Sequence, residues 1–306
     1  MKPSLKAAAL SFALALLPAA AHAARPAADQ FTPAALAKAC AGKDGWTDPA
    51  PPARVYGNTW YVGTCGITVI LITSQNEGRG SHILIDGGPA AAAPLVLANI
   101  RRAGFNPRDV HWIVATHEHD DHAGALATIQ RATGALLAAL PAQKTALEAG
   151  HASAQDPQAA GLKPISPLKV TRTLADGGKV VAGTVIVTAH ATPVHALGST
   201  SWTWQSCVAP GQCRTIAYAD SASTISEGDY RFSDHADRIR AIRGALPKIA
   251  KLPCDILITP HPSQSDLMER FAGDKPLVDP GACRAYADAA RVRLEARLAK
   301  EEQKPR

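Results

Sequence analysis

The sequence predicts an α+β fold in which two mixed β-sheets pack against each other with helices on their outer faces. Two observations carry this expectation. Short β-branched and aromatic runs fall into two sets, one in each half of the chain, and most neighbours within a set are separated only by turn residues. Each set is followed by segments with helical apolar spacing, and elements with one apolar face bury it by stacking in layers.

Residues 55–62 and 67–73 read as a hairpin whose turn contains Gly63 and Gly66. Gly78 and Gly80 mark a second turn, and residues 82–86 (HILID) form a short buried strand stopped by Gly87 and Gly88. Leu95, Leu97 and Ile100 fall at helical spacing within residues 90–103, with Gly104 as the stop signal. A buried strand follows at 110–115 (VHWIVA), then a helix over 123–133 and a strand over 135–140. Residues 150–167 are polar, Pro-rich and without period, which in a compact domain marks a functional lid or an insert. The second half supplies strands at 184–188, 200–204, 215–218 and 256–259, and helices over 235–250 and 282–300. The two halves share no evident sequence repeat.

The chain has 306 residues, 46% of them hydrophobic, which is enough for a sizeable core. Its first 23 residues stand apart. Lys2 and Lys6 precede an apolar run over 7–17 that is too short to anchor in a bilayer, and Ala21-His22-Ala23 has the small-x-small pattern read by signal peptidase. The alternative is a buried N-terminal helix. The reading adopted is a signal peptide over 1–23, export to the periplasm, and one mature domain over 24–306 that does not enter the membrane. Without the segment the net charge falls from +6 to +4, and the basic residues are scattered. That pattern gives no ground for a nucleic-acid partner.

All six cysteines (Cys40, Cys65, Cys207, Cys213, Cys254 and Cys283) lie in the mature part. An even number in an exported chain points to disulfides, although six cysteines allow 15 pairings. Cys207 and Cys213 flank Val-Ala-Pro-Gly-Gln, a turn-forming segment that would bring their sulfurs together. A cysteine zinc site is disfavoured because no C-x-x-C pair occurs.

The chemistry lies in Thr116-His117-Glu118-His119-Asp120-Asp121-His122, which places three imidazoles and two aspartates just beyond an apolar strand. His117, His119 and Asp121 alternate and can turn to one side as the strand ends, and His122 follows where the chain changes direction. One metal cannot comfortably take all four groups from so tight a loop, but two adjacent metals can share them. Zinc favours imidazole nitrogen and accepts carboxylate oxygen. The alternative is a polar loop of hydrogen-bonding histidines. The segment is not H-E-x-x-H, since Asp121 stands where the second histidine should be. Ser166-Pro167-Leu168-Lys169 spells the S-x-x-K of serine β-lactamases, but Val170, Thr171 and Thr173 favour a strand, and neither S-D-N nor K-T-G occurs.

The HEHDDH segment, preceded by a strand ending in Ile85-Asp86-Gly87-Gly88, resembles the metallo-β-lactamase superfamily, and most closely subclass B3. The match continues through Tyr56-Gly57-Asn58-Thr59-Trp60, Gly198-Ser199-Thr200-Ser201-Trp202-Thr203-Trp204, Tyr218-Ala219-Asp220-Ser221 and Thr259-Pro260-His261-Pro262. It implies a four-layer αβ/βα sandwich and two Zn2+ ions. His117, His119 and His195 would bind the first zinc, and Asp121, His122 and His261 the second. The implied activity is β-lactam hydrolysis and antibiotic resistance, with a zinc-bound hydroxide, oriented by Asp121, attacking the lactam carbonyl. Ser221 and Ser223 would face the substrate carboxylate directly or through water, and Gln158 would line the groove. Asp86 would fix a ligand's orientation or cap its strand. The disulfides implied are Cys40–Cys65, Cys207–Cys213 and Cys254–Cys283. The expected partner is a small β-lactam, and the expected state is a monomer.

The resemblance departs at one place. Relatives usually carry Gly-His-Thr-Pro-Gly around the third histidine, whereas this chain has the bulkier Val194-His195-Ala196-Leu197-Gly198. The competing functions are a lactonase or thioesterase of the same superfamily and a non-catalytic periplasmic zinc-binding protein. Those hydrolases generally supply a bridging aspartate, for which Asp220 is the neighbouring candidate, while the alignment puts Ser221 at that position.

Overall fold

The computed structural model describes residues 30–76 and 79–303, so the expected signal peptide lies outside the described residues. The first half comprises helix α1 (Pro33–Ala39), strands β1 (Ala53–Tyr56), β2 (Thr59–Tyr61) and β3 (Ile70–Ile72), and a small hairpin of β4 (Gln75–Asn76) and β5 (Arg79–Gly80). It continues with β6 (His82–Ile85), α2 (Ala93–Arg102), β7 (Val110–Val114), α3 (Asp120–Ala123), α4 (Leu126–Thr133), β8 (Leu136–Ala139), α5 (Pro141–Ala149) and β9 (Arg172–Thr173). The second half comprises β10 (Lys179–Ala182), β11 (Val185–Ala191), β12 (Thr200–Ala209) and β13 (Gln212–Tyr218). After these come α6 (Ala236–Ala250), β14 (Ile256–Ile258), α7 (Leu267–Ala272) and α8 (Ala282–Glu302).

One sheet has the order β1-β2-β3-β6-β7-β8-β9, and the other β10-β11-β12-β13-β14. Both are mixed: the first turns from antiparallel to parallel at β6–β7, and the second does so at β13–β14. Ile83 and Ile85 point into the layer between the sheets with Val114, Trp202, Tyr218 and Ile258, while Leu84 and Ile113 point outward onto Val96, Ile100 and Ile129. On the opposite face Ala217 and Leu257 are covered by Ile242, Leu246 and Leu294 of α6 and α8. Central strands covered on both faces read as continuous apolar runs, which is why HILI and ILI show no alternation. The four-layer sandwich is therefore present, and among the described residues no helix is long and apolar enough to cross a membrane.

Several boundaries differ from expectation. Residues 55–62 are not one strand but the hairpin of β1 and β2, turned by Gly57 at φ +52°. A side chain there would collide with the backbone of Cys207 on the other sheet. Gly80 is a strand residue rather than a turn, and the helix expected over 123–133 is split into α3 and α4. Helices α1, α5 and α7 and strand β10 were not anticipated. For α5 the signals were present, with Pro141 at its start and Gly150 in the left-handed conformation at its end.

Three disulfides form, Cys40–Cys65, Cys207–Cys213 and Cys254–Cys283. The last ties the approach to β14 to the start of α8 across 29 residues, whereas Cys207–Cys213 spans 6 residues of a hairpin that β-pairing already closes. Loop-closure entropy grows with loop length, so C254S/C283S should cost about 3–4 kcal/mol and C207S/C213S about 2 kcal/mol or less. Urea denaturation of the two double variants tests that order.

Candidate metal centre

The site is assembled at one rim, where β7, β11, β13 and β14 end. The loops leaving them carry His117 to His122, His195, Asp220 to Ser223, and His261. Three hydrogen bonds lock the sheets together beneath the rim: Thr200 N–H to Thr116 O (2.7 Å), Trp202 Nε1 to Ala115 O (2.9 Å) and Tyr218 OH to Asp86 Oδ2 (2.8 Å). Asp86 adopts a left-handed backbone, φ +65°, which aspartate tolerates better than most residues. Its carboxylate accepts from Thr116 N–H (2.7 Å) and Thr116 Oγ1 (2.8 Å), pinning the residue before His117.

The candidate ligand side chains converge from three loops. One group is His117, His119 and His195, and a second is His117, Asp121 and His122; within each, the ligand atoms lie within 4.8 Å of one another. The rings of His119 and His195 are each within 4.9 Å of that of His117. His261 completes the second side, its Nε2 being 3.2 Å from Asp121 Oδ2 and 3.3 Å from His122 Nε2. All six residues are buried except His261, which is partly exposed at the rim.

The outward nitrogens of His117, His119 and His195 are held from behind, which turns their other nitrogens inward. His117 Nδ1 bonds Asp220 Oδ1 at 2.8 Å, and its buried Nε2 has no partner. His119 Nε2 bonds Asp156 Oδ2 at 3.0 Å, so its Nδ1 faces the cluster. His195 Nδ1 lies against the Ser223 carbonyl (3.3 Å) and hydroxyl (2.9 Å), leaving Nε2 inward. His122 Nδ1 is 3.6 Å from Asp86 Oδ2, an ion-pair distance. An N–H held from behind fixes the tautomer whose other nitrogen can ligate a metal. An orphaned buried imidazole nitrogen amid such donors fits a bound cation, and the site is a metal-binding one.

Charge is distributed accordingly. Burial, reinforced by His122 and His119, holds His117 well below its ordinary value, and burial with His117 does the same to His195. Both are ready as neutral ligands. Burial opposes a charge on His122, but Asp121 outweighs it and pushes the imidazole up to about 10. Burial raises Asp220 to about 6 against the pull of His195. Burial pushes Glu118, between two of the histidines, up to about 7; its Oε1 accepts Gly198 N–H at 3.1 Å.

The remaining expected residues fall around this core. Gln158 Nε2 sits 3.2 Å from His195 Nε2 and 3.5 Å from His119 Nδ1. The Ser221 hydroxyl is buried and without a partner, whereas that of Ser223 is engaged by His195. Asp220 lies behind His117 rather than between the two groups. Asp156, Arg238 and the half-exposed Trp46, whose ring is 6.0 Å from that of His261, were not singled out from the sequence. None of the three falls in a pattern that marks a site.

A family model for the metallo-β-lactamase superfamily matches residues 62–264. Among solved structures, the metallo-β-lactamase MIM-1 from Novosphingobium pentaromativorans is 56% identical; the match covers 87% of this chain and 97% of that one, with a TM-score of 0.84. MEM-A1, a subclass B3 metallo-β-lactamase from a soil metagenome library, is 39% identical over 84% of this chain and 99% of its own, with a TM-score of 0.79. SMB-1, bound to 2-mercaptoethanesulfonate, is 43% identical over 84% and 99%, with a TM-score of 0.78. The chain belongs to the metallo-β-lactamase superfamily, and within it to the subclass B3 metallo-β-lactamases.

Metal binding requires neutral imidazoles. At pH 7 the metal-free His122 carries a proton, which a metal at Asp121, His122 and His261 must expel. Calorimetric titration with zinc in buffers of different ionisation enthalpy should therefore show proton release, and affinity should climb as pH rises through neutrality. Heats independent of the buffer would contradict this charge assignment.

Proposed function

We propose that this protein is an exported hydrolase of β-lactam antibiotics working with two Zn2+ ions. The observation that carries the reading is the pair of ligand groups sharing one rim, with His117 Nε2 buried and free between them. His117, His119 and His195 would hold one ion, and Asp121, His122 and His261 the other. Bound there, zinc would supply Lewis acidity toward the lactam carbonyl and lower the pKa of a water toward about 7. Asp121, at the rim between His122 and His261, orients the attacking water. Ser221, with its free hydroxyl, receives the substrate carboxylate, and Ser223 reaches it through water while holding His195. Gln158 and Trp46 flank the groove from opposite loops. Family resemblance and the three disulfides support export through a signal peptide over 1–23, since such bridges persist in oxidising compartments. The expected setting is the periplasm, the state a monomer, and the consequence antibiotic resistance.

A lactonase or thioesterase reading asks for an aspartate bridging the two groups. Asp220 is committed to the rear nitrogen of His117, which favours the β-lactamase reading.

The purified protein should hydrolyse a chromogenic cephalosporin, lose that activity to a chelator and regain it with zinc, while turning over a homoserine lactone and a glutathione thioester far more slowly. No cephalosporin turnover by the zinc-loaded protein would overturn the assignment.

A further inference from the structure

The loop bearing His195 contains Pro193, whose fixed φ restrains only its first part. Further restraint comes from elsewhere in the fold. Arg238, on α6 and buried, donates from Nη1 to the carbonyl of Pro193 and from Nη2 to those of Val194 and His195, each at 3.0 Å. Among the described residues no backbone N–H reaches these three carbonyls. The same loop is pinned twice more. Val194 is buried in the outer core with Ile242 and Leu246. At the far end Gly198 donates to Glu118, packed so closely that a Cβ would lie 2.3 Å from Glu118 Oε2.

Among the described residues Arg238 forms no ion pair, and burying a guanidinium without one is costly unless its hydrogen bonds are well placed. Here those bonds go to three successive carbonyls of one ligand-bearing loop. The ring of His195 meanwhile lies 4.9 Å from those of both His117 and His119. A rigid planar fork is suited to holding adjacent carbonyls in a fixed relation, which a single ammonium cannot do.

We propose that Arg238 is a positioning residue for the His117, His119 and His195 group: by clamping the Pro193, Val194 and His195 carbonyls it aims His195 Nε2 at the metal. The proposal rests on the reading of these histidines as ligands. It separates the two groups, because no other ligand sits on the clamped loop.

The test is zinc affinity of the purified protein, measured by competition with a chromophoric chelator and by metal content after dialysis against graded chelator. R238M should weaken one of two bound equivalents by about tenfold or more, the usual cost of losing a residue that orients a ligand, and leave the other unchanged. R238K, which keeps the charge but not the fork, should show a smaller loss of the same equivalent. With cobalt substituted for zinc, R238M should alter the imidazole N–H signals of His117, His119 and His195 and spare those of His122 and His261. Wild-type affinities in folded R238M, or equal weakening of both equivalents, would overturn the proposal. If R238M does not fold, R238K is judged by the same criteria. A wild-type protein that binds no zinc would instead remove the metal reading on which the proposal rests.

Discussion

Several imidazoles crowded into one buried pocket cannot all carry protons, and the rest of this structure is arranged around that constraint. Burial and mutual repulsion keep His117 and His195 neutral, while Asp121 and Asp156 draw the remaining positive charge onto His122 and His119. Neutral rings must then be held in the correct tautomer. Asp220 and Ser223, on one loop, do this from behind, and Asp156, on another, holds the ring of His119. The nitrogens so turned inward form a donor set that fits a metal ion.

The fold serves that arrangement by bringing four strand ends to one rim. Neither sheet contains the site alone: HEHDDH leaves the first sheet, and His195, Asp220 and His261 leave the second. The interlayer core of isoleucines, valines and tryptophans fixes the distance between sheets. The bonds from Asp86, Thr116, Trp202 and Tyr218 fix their relative position just below the metal ligands. A displacement of about 1 Å at this level would matter to every ligand distance, since zinc bonds to nitrogen and oxygen cluster within about 0.2 Å of 2.0–2.2 Å.

Much of this was legible in the sequence because the strongest signals are local. Three imidazoles and a carboxylate in six residues, after a strand, announce a metal site without knowledge of the fold. His195 and His261 were reached only through the family resemblance, since an isolated histidine carries no pattern of its own. The six cysteines implied disulfides, but only the six-residue Cys207–Cys213 loop had a local reason for its pairing. Asp156, Arg238 and Trp46 were not legible. Their roles depend on contacts across 37, 43 and 215 residues respectively, the last joining a half-exposed tryptophan to His261. The β1–β2 turn was missed because Gly57 interrupts an apolar run for a reason lying on the other sheet.

Anomalous diffraction at the zinc edge from zinc-loaded crystals tests the central claim most directly. The account predicts two peaks in one pocket, the first bonded to His117 Nε2, His119 Nδ1 and His195 Nε2, the second to Asp121, His122 and His261. Bond lengths should be about 2.0–2.2 Å. Peaks absent from this rim, or a peak engaging His117 and His119 while His195 turns away, would contradict it.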